Sequence, residues 1–149
     1  MNIELNGSEQ INTSPANLWE SVIDPVVLQR AIPGCISMTE TGKGQYQMTL
    51  ELKVAAVGGS FEGAVSLSEM NPPDSCIITV SGSGTLGTGG GNATVAITEG
   101  DDGNALISYQ AQGEVSGLVA GVGQRILMGV AKHLARQFFT ALKKEFAAA

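Results

Sequence analysis

The side chains from which acid–base, nucleophilic or metal chemistry could be built are few here: one histidine, His133, and two cysteines, Cys35 and Cys76, in a chain of 149 residues. The cysteines do not stand in Cys-x-x-Cys spacing, and nothing near His133 in sequence completes a ligand set. No metal site is expected, and the cysteines are expected to be buried thiols. His133 falls beside the apolar stripe of a predicted helix, where a partly solvated imidazole is the ordinary outcome. No serine stands in a nucleophile elbow. Glu51 and Glu62 alternate with apolar neighbours and are expected to face water, while Glu69 and Glu99 adjoin turns. No pair of acids faces a common cleft, so no catalytic residue is assigned.

A glycine run invites a second chemistry. Gly82-Ser83-Gly84-Thr85-Leu86-Gly87 spells G-x-G-x-x-G, the spacing of a dinucleotide-binding turn. That turn works because it opens a helix whose N-terminus faces the pyrophosphate. Here Thr88-Gly89-Gly90-Gly91 and then a strand pattern follow, and no Gly-Lys-Ser/Thr completes a Walker loop. The run is expected to be a hairpin or a sharply bent strand.

The elements that would position these residues can be read from periodicity. Asn2 to Asn12 reads as a strand. Ser14-Pro15 starts a helix carrying Leu18, Trp19, Val22 and Ile23, and Asp24-Pro25 starts a second short one through Leu28 to Ala31. From Ile36 the period changes to two, most clearly where Tyr46, Met48, Leu50, Leu52 and Val54 alternate with polar residues. Six strands in a row follow the helix pair, joined by short turns. Leu118, Val122, Ile126, Val130, Leu134, Phe138, Leu142 and Phe146 then recur every fourth residue and predict one helix from about Leu118 to Phe146. A one-sided antiparallel sheet needs a cover, and this helix is the element able to provide it. The expectation is a single α+β domain over residues 1–149: a curved antiparallel sheet of about seven strands wrapped around a long C-terminal helix, with two short helices after the first strand.

Composition narrows the function. Hydrophobic residues at 43% against 15% charged describe a folding chain, and a net charge of −6 argues against a nucleic-acid partner. No apolar run reaches the roughly 20 residues of a membrane span. The opening Met1-Asn2-Ile3-Glu4-Leu5 has neither the basic nor the apolar stretch of a signal peptide, so a cytoplasmic location is expected. Residues 1–114 carry three basic and thirteen acidic side chains, whereas 115–149 carry five basic and one acidic. Arg125, Lys132, Arg136 and Lys143 fall within about 20° of one helical line opposite the apolar stripe. They read either as a solvated helix back or as a docking stripe for anionic lipid or an acidic protein.

Aromatic residues make up only 5% of the chain, and the inward positions Gly82, Gly84, Ala93, Ala111 and Gly113 are small. Small residues beneath a helix either let it approach closely or leave an apolar pocket, and both readings stand.

Asp24-Pro25 with Leu28, then Ile32-Pro33-Gly34-Cys35, resembles the helix-pair signature of the CoxG family of carbon monoxide dehydrogenase subunits. Leu52-Lys53-Val54 with Phe61-x-Gly63, and Val115-x-Gly117-Leu118-Val119 with Gly123-x-Arg125, are similar to its later blocks. The family belongs to the START-like, Bet v 1-like (SRPBCC) helix-grip superfamily, so the resemblance implies a helix-grip fold with a hydrophobic small molecule between sheet and terminal helix. It also implies an accessory role to a molybdenum hydroxylase of the carbon monoxide dehydrogenase type, in membrane recruitment or electron transfer to quinone. Members often extend beyond the terminal helix; this chain runs to Ala149 and is not expected to anchor itself in a membrane by such a tail.

The expected function is therefore binding of a quinone-, lipid- or fatty-acid-like ligand, with no covalently bound cofactor and with peripheral contact at the inner face of the membrane. Trp19, Tyr46, Met48, Leu50, Phe61, Val65 and Tyr109 are expected to line the cavity, closed by Leu127, Val130, Ala131, Leu134 and Phe138 of the terminal helix. The alternative is a cyclase- or hydrolase-like enzyme in the same cavity, with His133 or Tyr109 as proton donor.

Overall fold

A computed structural model describes residues 2–54, 57–84 and 86–146; Thr85 of the glycine run lies outside the described residues. Strand β1 (Asn2–Ile11) leads into helices α1 (Pro15–Val22) and α2 (Pro25–Ala31). Both helices start as their sequence dictates: Ser14 Oγ accepts from the Asn17 N–H at 3.3 Å and Asp24 Oδ1 from the Val26 N–H at 2.9 Å. Each has proline in its first turn, where a missing N–H costs nothing. Strands β2 (Cys35–Gly42), β3 (Gln45–Val54), β4 (Val57–Asn71), β5 (Ser75–Gly84), β6 (Gly87–Glu99) and β7 (Ala105–Ser116) follow as a meander, and helix α3 (Gln124–Glu145) closes the chain.

All seven strands form one antiparallel sheet in the order β1-β7-β6-β5-β4-β3-β2. The glycine run is the β5–β6 hairpin, with Gly84 paired to Gly87. Alternation puts the apolar residues of every strand on the concave face, where α3 lies across them. The larger core cluster joins Leu18 and Trp19 of α1 to Ile11, Cys76, Val95, Ile97, Ile107 and Leu142. A second joins Leu28 to Met38, Tyr46, Met48, Val65 and Leu67.

The terminal helix is shorter than its apolar repeat predicts. Leu118–Val122 is a 3-10 turn, and the α-helix begins only at Gln124. The interruption lies at Gly123, whose φ of +97° is outside the helical region and open chiefly to glycine. The fourfold repeat also misleads because 3.6 residues make a turn, so a step of four advances about 40° and the row drifts off one face. Ile126 consequently stands 50% exposed while its neighbour Leu127 is buried.

Candidate functional site

Inward-facing residues of the sheet grade from large to small along the strands, and this gradient creates the site. Where α1 and the end of α3 cover the sheet, the inward residues are Ile11, Val95, Ile97 and Ile107. Two pairs further along, one cross-strand row reads Leu5, Ala111, Ala93, Ile78 and Leu67, and the next reads Ile3, Gly113, Gly91, Val80 and Val65. The row after that reads Val115, Gly89, Gly82, Gly63 and Met48. Three central strands thus present glycine or alanine where the helix above cannot descend to meet them. The result is an apolar cavity of about 440 Å³, inside the range of roughly 300–1,000 Å³ usual for small-molecule sites.

Its floor is β5–β7 backbone with Ala93 and Ala111, and its walls include Ile3, Leu5, Met48, Leu50, Leu52, Phe61, Ile78, Val80 and Val115. Ala131 borders it from α3. Ser81, Thr88, Asn92, Gln112 and Glu114 also border it, but they alternate with the inward positions and are exposed. The Thr88 hydroxyl is 2.8 Å from that of Ser116, its partner in the ladder.

Of the expected lining, Met48, Leu50, Phe61 and Ala131 meet at this cavity. The rest lie elsewhere. Trp19 is in the larger core cluster, and Tyr46 and Val65 are in the second. Leu127 is buried in a third small cluster against which Val130 packs, and Phe138 packs between the first two. Tyr109 stacks on Phe139 with ring centroids 5.3 Å apart. Leu134 and His133 line an outer groove with Pro33, Gly34, Glu51, Leu52, Lys53 and Gln137. Ile3, Leu5, Leu52, Ile78, Val80 and Val115 were missed as walls; the signal that locates them is their registration with small residues across the ladder, which needs the strand pairing.

The buried polar groups are structural. Tyr46 donates its hydroxyl to the Ile23 carbonyl at 2.6 Å, fixing the α1–α2 corner to the sheet. Burial, and after it the charges of Glu40 and Asp24, push that phenol above its ordinary range. Burial likewise pushes the Cys76 thiol up. Among the described residues no three His, Cys, Asp or Glu side chains gather as a metal site, and no helix is long and apolar enough to cross a membrane.

The four basic residues of α3 are all exposed, but they are not equivalent. Lys143 is held by Glu9 at 2.7 Å, while Arg125, Lys132 and Arg136 make no ion pair among the described residues. Arg30 of α2 is paired to Glu145 near the end of α3. Beside Arg125, Ile126 is 50% exposed, and Leu118 in the preceding turn is 75% exposed.

Solved structures share this architecture. A conserved protein from Geobacillus kaustophilus is 32% identical and superposes with a TM-score of 0.93, over 99% of this chain and 95% of that one. A START superfamily protein from Mycobacterium smegmatis, 12% identical, superposes with a TM-score of 0.74 over 95% of both chains. Ara h 8.0201, 13% identical, superposes at 0.69 over 97% of both. These last two likenesses concern the fold alone, which is the START-like, Bet v 1-like helix grip. No curated protein sequence matches the chain. The profile of CoxG, a carbon monoxide dehydrogenase subunit, matches residues 7–147, nearly the whole sequence and every element described above, and the chain accordingly belongs to the CoxG family.

Proposed function

We propose that this protein is a carrier or accessory subunit that holds an apolar, quinone- or lipid-like molecule in the cavity between sheet and α3. The observation that supports this most is the pairing of a cavity of about 440 Å³ with walls that are almost wholly hydrocarbon. Such a site gains by taking apolar area from water, at roughly 25 cal/mol per Å². It offers no placed acid, base or nucleophile: His133 faces the outer groove, and Tyr109 is stacked on Phe139. These were the groups a cyclase- or hydrolase-like reading would need, so the carrier reading is preferred.

Membership of the family supports the second half of the proposal, that the partner is a molybdenum hydroxylase of the carbon monoxide dehydrogenase type. In that setting the bound molecule serves electron transfer to quinone or recruitment to the membrane. Contact with the inner face of an anionic membrane would run through Arg125, Lys132 and Arg136, with exposed Leu118 and Ile126 at the near end of the same helix.

The test is mass spectrometry of organic extracts from protein purified without detergent from its native host. The expected result is one class of apolar molecule recovered in near-stoichiometric amount from the wild type. Extracts carrying nothing above the level of a control protein, together with failure to take up added quinone or fatty acid, would overturn the reading.

A further inference from the structure

The apolar cavity and the polar groove outside it meet at one side chain. Leu52 borders both. It stands at the end of β3, where its Cδ2 lies so close to Gly34 that a Cβ on that glycine would come within 3.1 Å of it. Gly34 also has a φ of +75°, so the turn passes over Leu52 only as glycine.

The groove exists because β2 stops early. Its ladder with β3 begins at Cys35 and Leu50, and the Glu51 N–H donates to the Gly34 carbonyl at 2.8 Å. Beyond that bond β3 has no neighbour on this side, and α3 crosses the gap with His133, Leu134 and Gln137. The resulting groove is about 460 Å³ and is walled by both polar and apolar groups, unlike the cavity behind it.

We propose that this groove seats the polar head of the cavity's ligand, the head being an oxygen acceptor such as a carbonyl or carboxylate. The inference rests on the cavity being a ligand site. A molecule with an apolar body and an oxygen-bearing end cannot leave that end among hydrocarbon walls without losing its hydrogen bonds to water. Lys53, His133 and Gln137 supply N–H donors, and none of their side chains has a hydrogen bond or ion pair among the described residues. The polar residues at the cavity's glycine floor do not compete, because alternation turns Asn92, Gln112 and Glu114 to the outer face. Leu52 is then the neck of the site, with the apolar body on one side and the head on the other.

His133 is the only histidine, so its ring protons give resolved NMR signals that report on the groove alone. The methyl groups of Leu50 and Ile78 report on the cavity. Decanoate, methyl decanoate and decane are titrated at fixed pH. All three are expected to shift the Leu50 and Ile78 methyls, and only the oxygen-bearing probes are expected to shift the His133 ring. A ring response to decanoate alone marks the head as anionic; a response to both marks it as any oxygen acceptor. Lys53→Ala with Gln137→Ala, both at exposed positions, should weaken the oxygen-bearing probes about fivefold or more and leave decane unchanged. Leu52→Trp should remove the His133 response by blocking the neck. A His133 ring that stays still while decanoate shifts the methyls, or that answers equally to decane, overturns the proposal. So does equal affinity of the double variant for all three probes. Methyl groups that respond to no probe overturn the cavity reading itself, and this proposal falls with it.

Discussion

Gly82 and Gly89 stand opposite each other in the β5–β6 ladder, and a Cβ built on either meets nothing closer than 3.6 Å. Neither has a positive φ. Nothing in the backbone therefore requires glycine at these two positions, and a side chain on either would enter the cavity. Gly91, one pair along, is different: a Cβ there would lie 2.2 Å from the Gln112 carbonyl oxygen. The floor thus combines one glycine forced by close approach with two whose absent side chains leave space.

Replacing both Gly82 and Gly89 by valine should therefore leave the fold intact and raise its stability by about 1 kcal/mol or more. Valine suits a strand, restricts the unfolded chain and buries apolar area in a space already present. Urea unfolding checks this. A clear loss of stability would mean that the space is needed by the backbone and is not a cavity.

Leu142 and Leu50 separate packed core from cavity wall. Leu142 is 1% exposed and touches the cluster of Ile11, Trp19 and Ile97, so Leu142→Ala should cost about 2–5 kcal/mol. Leu50 borders open space, and Leu50→Ala should cost less than half as much by the same urea measurement. Equal losses would place Leu50 in tightly packed surroundings.

The alkaline limb of stability should carry the signature of Tyr46. Its folded-state phenol is raised by burial first and by Glu40 and Asp24 second, so the folded protein holds that proton more firmly than the unfolded chain. The contribution is complete below the ordinary tyrosine value of about 10 and is lost as pH rises through the higher folded value. Ionisation also removes the donor to the Ile23 carbonyl. Tyr46→Phe should cost about 1 kcal/mol at neutral pH and flatten the decline above about pH 10. An unchanged decline in the variant would assign it to other groups.

The basic face of α3 should act at long range and only at low salt. Lys143 is already held by Glu9, so the groups to change are Arg125, Lys132 and Arg136. Each contributes about 1 kcal/mol near an anionic surface and is screened beyond about 8 Å at physiological salt. The triple change to Gln should abolish sedimentation with phosphatidylserine vesicles at low salt while leaving the melting temperature within a few degrees. Equal sedimentation of wild type and variant would leave the stripe as a solvated helix face.

Much of the fold was legible because local rules governed it. Strict alternation from Tyr46 to Val54 gave β3, and the Ser14-Pro15 and Asp24-Pro25 pairs gave both short helices. The start of α3 was misread because Leu118 and Val122 continue a repeat that the φ of Gly123 interrupts. Small inward residues announced a possible space, but its walls depend on which strands register with Gly82, Gly91 and Gly113 and on where α1 crosses. Trp19 and Tyr46 look like pocket residues by size and are instead consumed by packing against Ile97 and by the bond to Ile23. Leu52 could not be recognised as the boundary between cavity and groove, because that requires knowing that β2 ends beside Leu50.

The most direct test of the account compares binding of a short-tailed quinone, decylubiquinone, to the wild type and to the Gly82→Val, Gly89→Val variant. The wild type should bind with a micromolar-range Kd and gain about 2.7 kcal/mol of stability at a hundredfold excess over Kd, read as a higher melting temperature. The variant, equally well folded, should show no binding and no shift. Equal binding by both proteins would contradict the claim that the space above the glycine floor holds the ligand.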